Sequence, residues 1–417
     1  MCTATADGLR WLYVDLNSFF ASVEQQDRPG MAGRPLIVTP VESEYTSAIA
    51  VSVEAKRLGV RNGMSVREAR EACPGIVVVA ARHDLYVAYH HRMVAEVERH
   101  LPVRHVRSID EVACRLIGAE QRPDTARGLG LEIQRGLLQH LGPMIRSSIG
   151  IAPSQLLAKM ASDMKKPLGL TIIEPHDLPD VLLPLPLEDI PGVGRRMSAR
   201  IRAGGITRMR DLWDLSPNRA RAIWHSIEGA RVWYGLHGID PDVPAPAPTQ
   251  SIGHSIVLSR STASIPAAKS ASRQLVIRAA SRLRRMERRA GALTLYARSA
   301  SQPGATPECR FAPTSDTFQF LARLDGLWAM IPEGLAPLSK IGVLLHAIEG
   351  PTAQADLFQP AEPILSRKDI LCRAVDRINR SYGRDTVSFG APETGISRYT
   401  GAKIAFNRIP TLADFCG

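Results

Sequence analysis

Aromatic side chains are scarce in this chain, 5% of 417 residues, so its cores must be packed mainly with Leu, Val, Ile and Ala. Cysteine is also rare. Cys2, Cys73, Cys114, Cys309, Cys372 and Cys416 are scattered and form no CxxC pair. That spacing argues against a zinc ribbon or a disulfide framework, and it suits a reducing cytosol. No apolar run reaches the roughly 18 residues of a membrane span. The opening MCTATADGLRWLYVDLN has neither a basic nor an apolar leader segment, so no signal peptide is expected. No internal repeat occurs, and the one compositionally biased tract is a Pro/Ala linker, GIDPDVPAPAPTQ.

Acid is in deficit. The formal net charge is +11 and the pI about 9.6, which points to a polyanionic partner, a nucleic acid or an anionic membrane surface. The hydrophobic fraction of 45% is enough for several cores, and the length predicts about two to four domains.

Along the chain, WLYVDL (11–16), IVVVA (76–80), VRHVRSI, VACRLIG and SSIGIA read as strands. Residues 84–101 and 129–141 have helical spacing, and residues 47–73 mix short helical patterns with turns. Strands alternate with helices, so this portion is α/β or α+β. Residues 168–240 read as a separate helical segment with a PGVG turn. After the extended linker, residues 250–350 mix the strand runs SIVLSR, LTLYARS and KIGVLLHAI with a helix near 267–290. A loop, EGPTAQADLFQPAEP, leads to a last segment, 363–417.

RSIDEVACRL (107–116) sets Asp110 beside Glu111 in strand-like sequence, and Asp15 ends the first strand. If these strands are neighbours, three carboxylates meet at one sheet edge. They cannot all stay ionised without cations. Hard oxygen donors next to phosphate suit Mg²⁺, and two such ions can activate a 3′-hydroxyl and stabilise a leaving pyrophosphate. Taken alone, Asp15 fits a helix cap near Asn17 better than a metal site, and Asp110-Glu111 an ordinary turn.

VDLNSFFASVE, SIDE and GIAPSQLLAKMASDMKKP occur in this order. Together they resemble the Y-family of DNA polymerases, the translesion enzymes, over roughly residues 11–350. The resemblance implies an α+β multidomain fold of right-hand architecture. Its parts would be a ferredoxin-like palm (1–16 and 76–167), small fingers (17–75), a helical thumb (168–240), a linker (241–249) and an α/β little finger (250–350). A loop (351–362) and a tail (363–417) would follow.

The resemblance further implies that Asp15, Asp110, Glu111 and the backbone carbonyl of Leu16 hold two Mg²⁺ ions. Phe20 would be the steric gate against a ribose 2′-hydroxyl. Phe19 beside it could serve the nucleotide site or the core, since adjacent helical residues point in different directions. Lys166 matches the lysine that contacts the incoming triphosphate; its bland alternative is a solvated helix-end cation. Lys159 lies on the same helical stretch. Where many members carry Thr, Tyr and Arg on the fingers, this chain has Ala50, Val53 and Lys56. Lys56 keeps the charge but loses the bidentate fork. Those small residues and the tail, AVDRINRSYGRDTVSFG and SRYTG, are similar to the polymerase V catalytic subunit branch.

LEDIPGVGRRMSARIRAGGI (187–206) looks like a helix-hairpin-helix. Gly192 and Gly194 would open backbone N–H groups to a phosphate, with Arg195 and Arg196 next to them. A plain αα turn is the alternative. Residues 273–289 hold seven arginines against one glutamate, and residues 251–350 hold 13 Lys and Arg against six acids. Arg282, Arg285 and Arg289 are the candidates there for contacts to a DNA backbone, which confer affinity without sequence preference. QADLF resembles the peptide by which bacterial polymerases dock to the sliding β-clamp, through Gln354, Leu357 and Phe358. A loop pinned to the protein's own surface is the alternative.

The expected activity is template-directed addition of deoxynucleotides to a primer in DNA repair and SOS damage tolerance, in a bacterial cytoplasm near the nucleoid. Primer-template DNA, dNTPs, the clamp and accessory repair proteins are the expected partners, with no membrane. Two other classes compete, a silent repair scaffold and a nucleotidyl cyclase on a similar palm. The three acids count against the first, and the duplex-gripping features against the second.

Overall fold

A computed structural model of the chain describes residues 8–40, 46–240, 250–258, 263–299, 302–350, 367–383, 386–390 and 409. It divides into two compact units between Val243 and Pro244, with residue 409 belonging to the first. Among the described residues no helix is long and apolar enough to cross a membrane.

The first unit begins with β1 (Trp11–Leu16), buried along its whole length, and α1 (Phe19–Asp27). Next come β2 (Leu36–Thr39), β3 (Ala50–Val51), α2 (Val53–Arg57), α3 (Val66–Ala72) and β4 (Val77–Ala80). Then follow α4 (His83–Glu98), β5 (Val103–Val106), β6 (Glu111–Arg115), α5 (Pro123–His140), β7 (Ser147–Ala152), α6 (Gln155–Met164) and β8 (Leu170–Ile172). The five-stranded sheet runs β5-β6-β1-β7-β8, with β1 antiparallel to both neighbours.

Alternation along β1 decides what each face buries. Leu12, Val14 and Leu16 join Tyr86, Met93 and Val97 of α4 and Ile133 and Leu137 of α5 in one core. Trp11 and Tyr13 join Leu157, Ala158 and Ala161 of α6 in another. Asp15 shares the parity of Trp11 and Tyr13, so it belongs to the α6 side. Gly150 of β7 lets α6 come close: a Cβ there would lie 1.9 Å from the Ala158 carbonyl oxygen.

Two expected boundaries move. β4 falls within the expected palm, but it pairs in parallel with β2 in a separate three-stranded sheet, β3-β2-β4. The helical crossover between β2 and β4 permits that parallel pairing, so the boundary at residue 76 cuts through the sheet. β8, past the expected end of the palm, pairs in parallel with β7 and completes the larger sheet.

The helices α7 (Arg195–Ala203), α8 (Met209–Trp213), α9 (Pro217–Trp224) and α10 (Ile227–Leu236) form the rest of the first unit. They do not close a core of their own. Ile201, Met209, Leu212, Trp224 and Leu236 share the cluster that holds Trp11 and Tyr13. Asp240, past α10, accepts hydrogen bonds from the Gln155 N–H, Arg115 and the Trp11 indole, which ties the segment's end back to the sheet.

The second unit contains β9 (Ser251–Val257), α11 (Ile265–Arg285), β10 (Arg289–Ser299), β11 (Glu308–Thr314), α12 (Thr317–Trp328), β12 (Leu338–Glu349) and α13 (Arg367–Ser381). Its sheet runs β11-β10-β12-β9, antiparallel throughout. The expected helix near 267–290 stops at Arg285. Glu287 turns the chain at φ 53°, and Arg289 opens β10 rather than continuing the helix. The sequence reading did not separate β11 and α12. α13, from the tail of unassigned role, docks on this unit. Arg284 is 7% exposed and donates from Nε and Nη2 to Asp376 at 2.6 and 2.9 Å, with Nη1 on the Ser315 carbonyl and the Thr317 hydroxyl. Cys372 and Val375 are buried beside that pair, and Phe389 packs edge-on against Phe318.

Removing one partner of a buried ion pair leaves the other charge stranded. Asp376→Ala is therefore expected to destabilise the second unit by about 3 kcal/mol or more. Asp325→Ala removes the half-exposed pairs with Arg273 and Lys269 and should cost less than about 1 kcal/mol. Urea unfolding of the two variants beside wild type checks the ranking.

Candidate active site

The antiparallel register of β1 and β6 sets Asp15 directly opposite Glu111. Asp110 precedes β6 in a turn closed by the Arg107 N–H donating to the Glu111 carbonyl at 2.9 Å. The turn is held from three sides. The Leu16 N–H donates to the Asp110 carbonyl at 2.9 Å, the Ser108 hydroxyl donates to the Asp110 carboxylate, and His90 Nδ1 of α4 lies 2.8 Å from the Ile109 carbonyl. Asp15, Asp110 and Glu111 are thereby gathered at one end of two adjacent strands, and Leu16, buried, adjoins them as the last residue of β1.

Two ammonium groups enter this cluster. Lys159 of α6 contacts Asp15, lies 2.6 Å from Glu111 Oε1 and 3.3 Å from Asp163. Lys166 Nζ lies 2.9 Å from Asp15 Oδ1 and 2.7 Å from Asp163 Oδ1. The Tyr13 hydroxyl donates to Glu111 Oε2 at 3.0 Å. Among the described residues no three His, Cys, Asp or Glu side chains form a ready cation cage. The lysine ammoniums stand in for cations between the carboxylates.

The charge balance still leaves an acid uncompensated. Burial, aided by the charges of Asp15 and Glu111, pushes the Asp110 carboxyl up to about 6 against the Ser108 hydrogen bond. Burial also raises Glu111, but the Lys159 charge and the hydrogen bonds from Lys159 and Tyr13 outweigh it and leave Glu111 below its usual range. Lys159 is raised because Asp15, Glu111 and Asp163 overcome its burial. An oxygen-only donor set that keeps Asp110 under this pressure fits a hard divalent cation such as Mg²⁺.

Of the other sequence candidates, Phe19 is core, 3% exposed, while Phe20 is half-buried on α1. Ala50 is buried in β3, and Val53 opens α2. Lys56 is pushed down by burial and by the like charge of Lys166, with Asp15 opposing. The structure thus brings Lys56 and Lys166 into one electrostatic neighbourhood with the acids. Gly192 takes φ 89°, Gly194 caps α7, and Arg195 and Arg196 are exposed beyond them.

In the second unit, Arg282 and Arg285 lie in the last turn of α11 and Arg289 at the start of β10. α11 and α12 cover one face of that sheet. On β9 the alternate residues Ser251, Gly253, Ser255 and Val257 are exposed, so the opposite face is open along this edge strand. Gln354, Leu357 and Phe358 lie outside the described residues.

The sequence reading missed Tyr13, Ser108 and Asp163. Tyr13 had a usable signal, because the period of a strand puts residue i−2 on the face of Asp15. Asp163 also had one: it stands four residues after Lys159 and three before Lys166, within reach of both on a helix.

Asp110 yields a linkage test. Its folded carboxyl titrates near 6, against an ordinary 3.8. The folded state therefore holds a proton that the unfolded state has lost, and stability falls as pH rises through that window. In chelator, Asp110→Asn should flatten that slope and exceed wild type at pH 7.5 by on the order of 3 kcal/mol. Unfolding curves at pH 5 and pH 7.5 measure it, and equal slopes in the two proteins would contradict it.

Comparison with known proteins places the chain. Residues 14–163 match the impB/mucB/samB family, and residues 249–357 match the C-terminal domain of that family. A DNA polymerase IV of Bacillus velezensis is 30% identical over 391 residues, 91% of this chain and 92% of the relative. A DNA polymerase IV of Moorella thermoacetica is 36% identical over 254 residues, 60% of this chain and 63% of the relative. Among solved structures, a Y-family DNA polymerase chimera of Dbh and Dpo4 aligns with a TM-score of 0.67 at 23% identity, covering 82% of this chain and all of that one. That likeness concerns the fold, a polymerase palm, fingers, thumb and little finger.

Proposed function

The chain belongs to the impB/mucB/samB family, the Y-family of DNA polymerases, and from that premise we propose that it is a DNA-directed DNA polymerase of translesion synthesis in DNA repair. The observation that carries this reading is the register of β1 and β6, which sets Asp15 against Glu111 with Asp110 in the adjoining turn and Lys166 on Asp15. A silent scaffold would have no use for three acids held together against their own repulsion.

Asp15, Asp110 and Glu111, with the Leu16 carbonyl, would hold two Mg²⁺ ions. When bound, these supply Lewis-acid stabilisation to the attacking and leaving oxygens. The chain's own residues do the rest. Tyr13 orients Glu111 through its hydroxyl. Lys166 and Lys56 attract the triphosphate of the incoming nucleotide, the role left to cations where Ala50 and Val53 offer no hydroxyl. Lys159 gives up its contacts to Asp15 and Glu111 as the site fills. The primer 3′-oxygen bonds to the α-phosphorus, the bond to pyrophosphate breaks, and the hydroxyl proton leaves to solvent. Phe20 would be the aromatic ring under the sugar that excludes a 2′-hydroxyl, while Phe19 is buried in the core.

Primer-template DNA would be gripped through phosphates. The N–H groups around Gly192 and Gly194, followed by Arg195 and Arg196, form one basic turn. Arg282, Arg285 and Arg289 give the second unit its own backbone-binding charge, and its open sheet face offers exposed glycine and serine backbone. Such contacts confer no sequence preference. Gln354, Leu357 and Phe358 would dock the chain to a sliding clamp and raise its effective concentration at the primer end.

Primer extension on undamaged and lesion-bearing templates with Mg²⁺ tests the activity. Wild type is expected to extend, and Asp110→Ala to lose at least about 10³-fold in rate. Absence of extension by wild type on every template would overturn the reading. Replacing Leu357 and Phe358 together by Ala should abolish stimulation by the clamp while leaving extension without clamp unchanged, measured as product length in the two conditions.

A further inference from the structure

A steric gate works by repulsion, and repulsion is only as strong as the support behind the repelling group. Phe20 has such support. Its ring lies face to face with Tyr86 of α4, centroids 4.4 Å apart and planes 14° from parallel. Tyr86 is fully buried, so the Phe20 ring has no free space to retreat into on that side.

Tyr86 is fixed in turn at its far end. Its hydroxyl donates to Glu24 Oε1 at 2.7 Å. Glu24 is also fully buried, and it stands one helical turn after Phe20 on α1. Arg82, at the start of α4, reaches the same carboxylate with Nε 3.1 Å from both oxygens and Nη2 2.6 Å from Oε2. Its Nη1 lies 2.7 Å from Asp27, further along α1. The contacts close a loop from Phe20 to Tyr86, to Glu24, and back along one turn of α1 to Phe20. A buried carboxylate is costly, and one held by a guanidinium fork and a phenol fixes orientation as much as it adds stability.

We propose that Tyr86, locked by Glu24 and Arg82, is a positioning residue that backs Phe20 and sets how firmly the protein rejects ribonucleotides. The inference rests on the reading of Phe20 as the sugar gate.

Single-nucleotide insertion kinetics with a deoxynucleotide and the matching ribonucleotide test both levels. Phe20→Ala comes first and is expected to admit the ribonucleotide. If its sugar preference equals that of wild type, the gate reading fails and the inference falls with it. With Phe20→Ala relaxed, Tyr86→Leu should lower the deoxy-over-ribo ratio of kcat/KM by about tenfold, mainly through faster ribonucleotide insertion. Tyr86→Phe keeps the ring and gives up only the Glu24 bond, and should lower the ratio by about threefold. In the double variant Phe20→Ala/Tyr86→Leu the ratio should drop no further than in Phe20→Ala, since the two side chains act as one unit. A wild-type ratio in folded Tyr86→Leu, or an equal loss on both nucleotides, overturns the proposal. If Tyr86→Leu does not fold, an unchanged ratio in Tyr86→Phe overturns it.

Discussion

The repulsion among Asp15, Asp110 and Glu111 is the constraint that the first unit is built around. Carboxylates separate when they can. Here they cannot, because each is fixed by backbone bonding that the rest of the sheet enforces. Asp15 and Glu111 face each other across a ladder, and slipping that ladder by one residue would turn Tyr13 and Leu12 to the wrong faces together. Asp110 is fastened by the Leu16 N–H and the Ser108 hydroxyl. The apolar cores on both sides of β1 therefore do more than stabilise a fold. They supply the free energy that keeps like charges together, and the raised titration of Asp110 records what remains uncompensated.

The same geometry explains why the lysines converge. Gly150 admits α6 close to β7, and that approach brings Lys159 over Asp15 and Glu111 while Asp163 reaches back to Lys159 and Lys166. The site is a lattice of alternating charge, not a bare acidic pocket. Any cation entering it meets carboxylates already neutralised in part, so affinity depends on how readily the two side chains withdraw.

Much of this was legible in the sequence, and what was not has a physical reason. The apolar run at 11–16, the acids at 110 and 111 and the motif around Lys166 carry short-range signals, and the structure gathers all of them. The partners of those strands carry none. Nothing local in IVVVA says that Val77–Ala80 pairs with Leu36–Thr39 instead of joining the larger sheet. Periodicity gives a strand its faces but not its neighbours. Residues 168–240 read as separate because their helices are regular, yet their apolar residues complete a core begun by Trp11 and Tyr13, a match between distant stretches. In sequence Arg284 is only one of the seven arginines of 273–289. Its burial follows from Asp376, 92 residues later, and no helical pattern foretells that pairing. Among the site residues, Tyr13 and Asp163 were within reach of simple periodicity, while Ser108 acts through a turn whose shape is tertiary.

The bond between Arg284 and Asp376 bears on how this chain can change over generations. α13 lies past the stretch that matches the family's C-terminal domain. Arg284 is buried beneath it and bonded to Asp376. Once an arginine is buried there under α13, losing the tail first strands a charge, and losing the arginine first strands Asp376. Neither single step is neutral, so α13 and Arg284 can be lost without penalty only together.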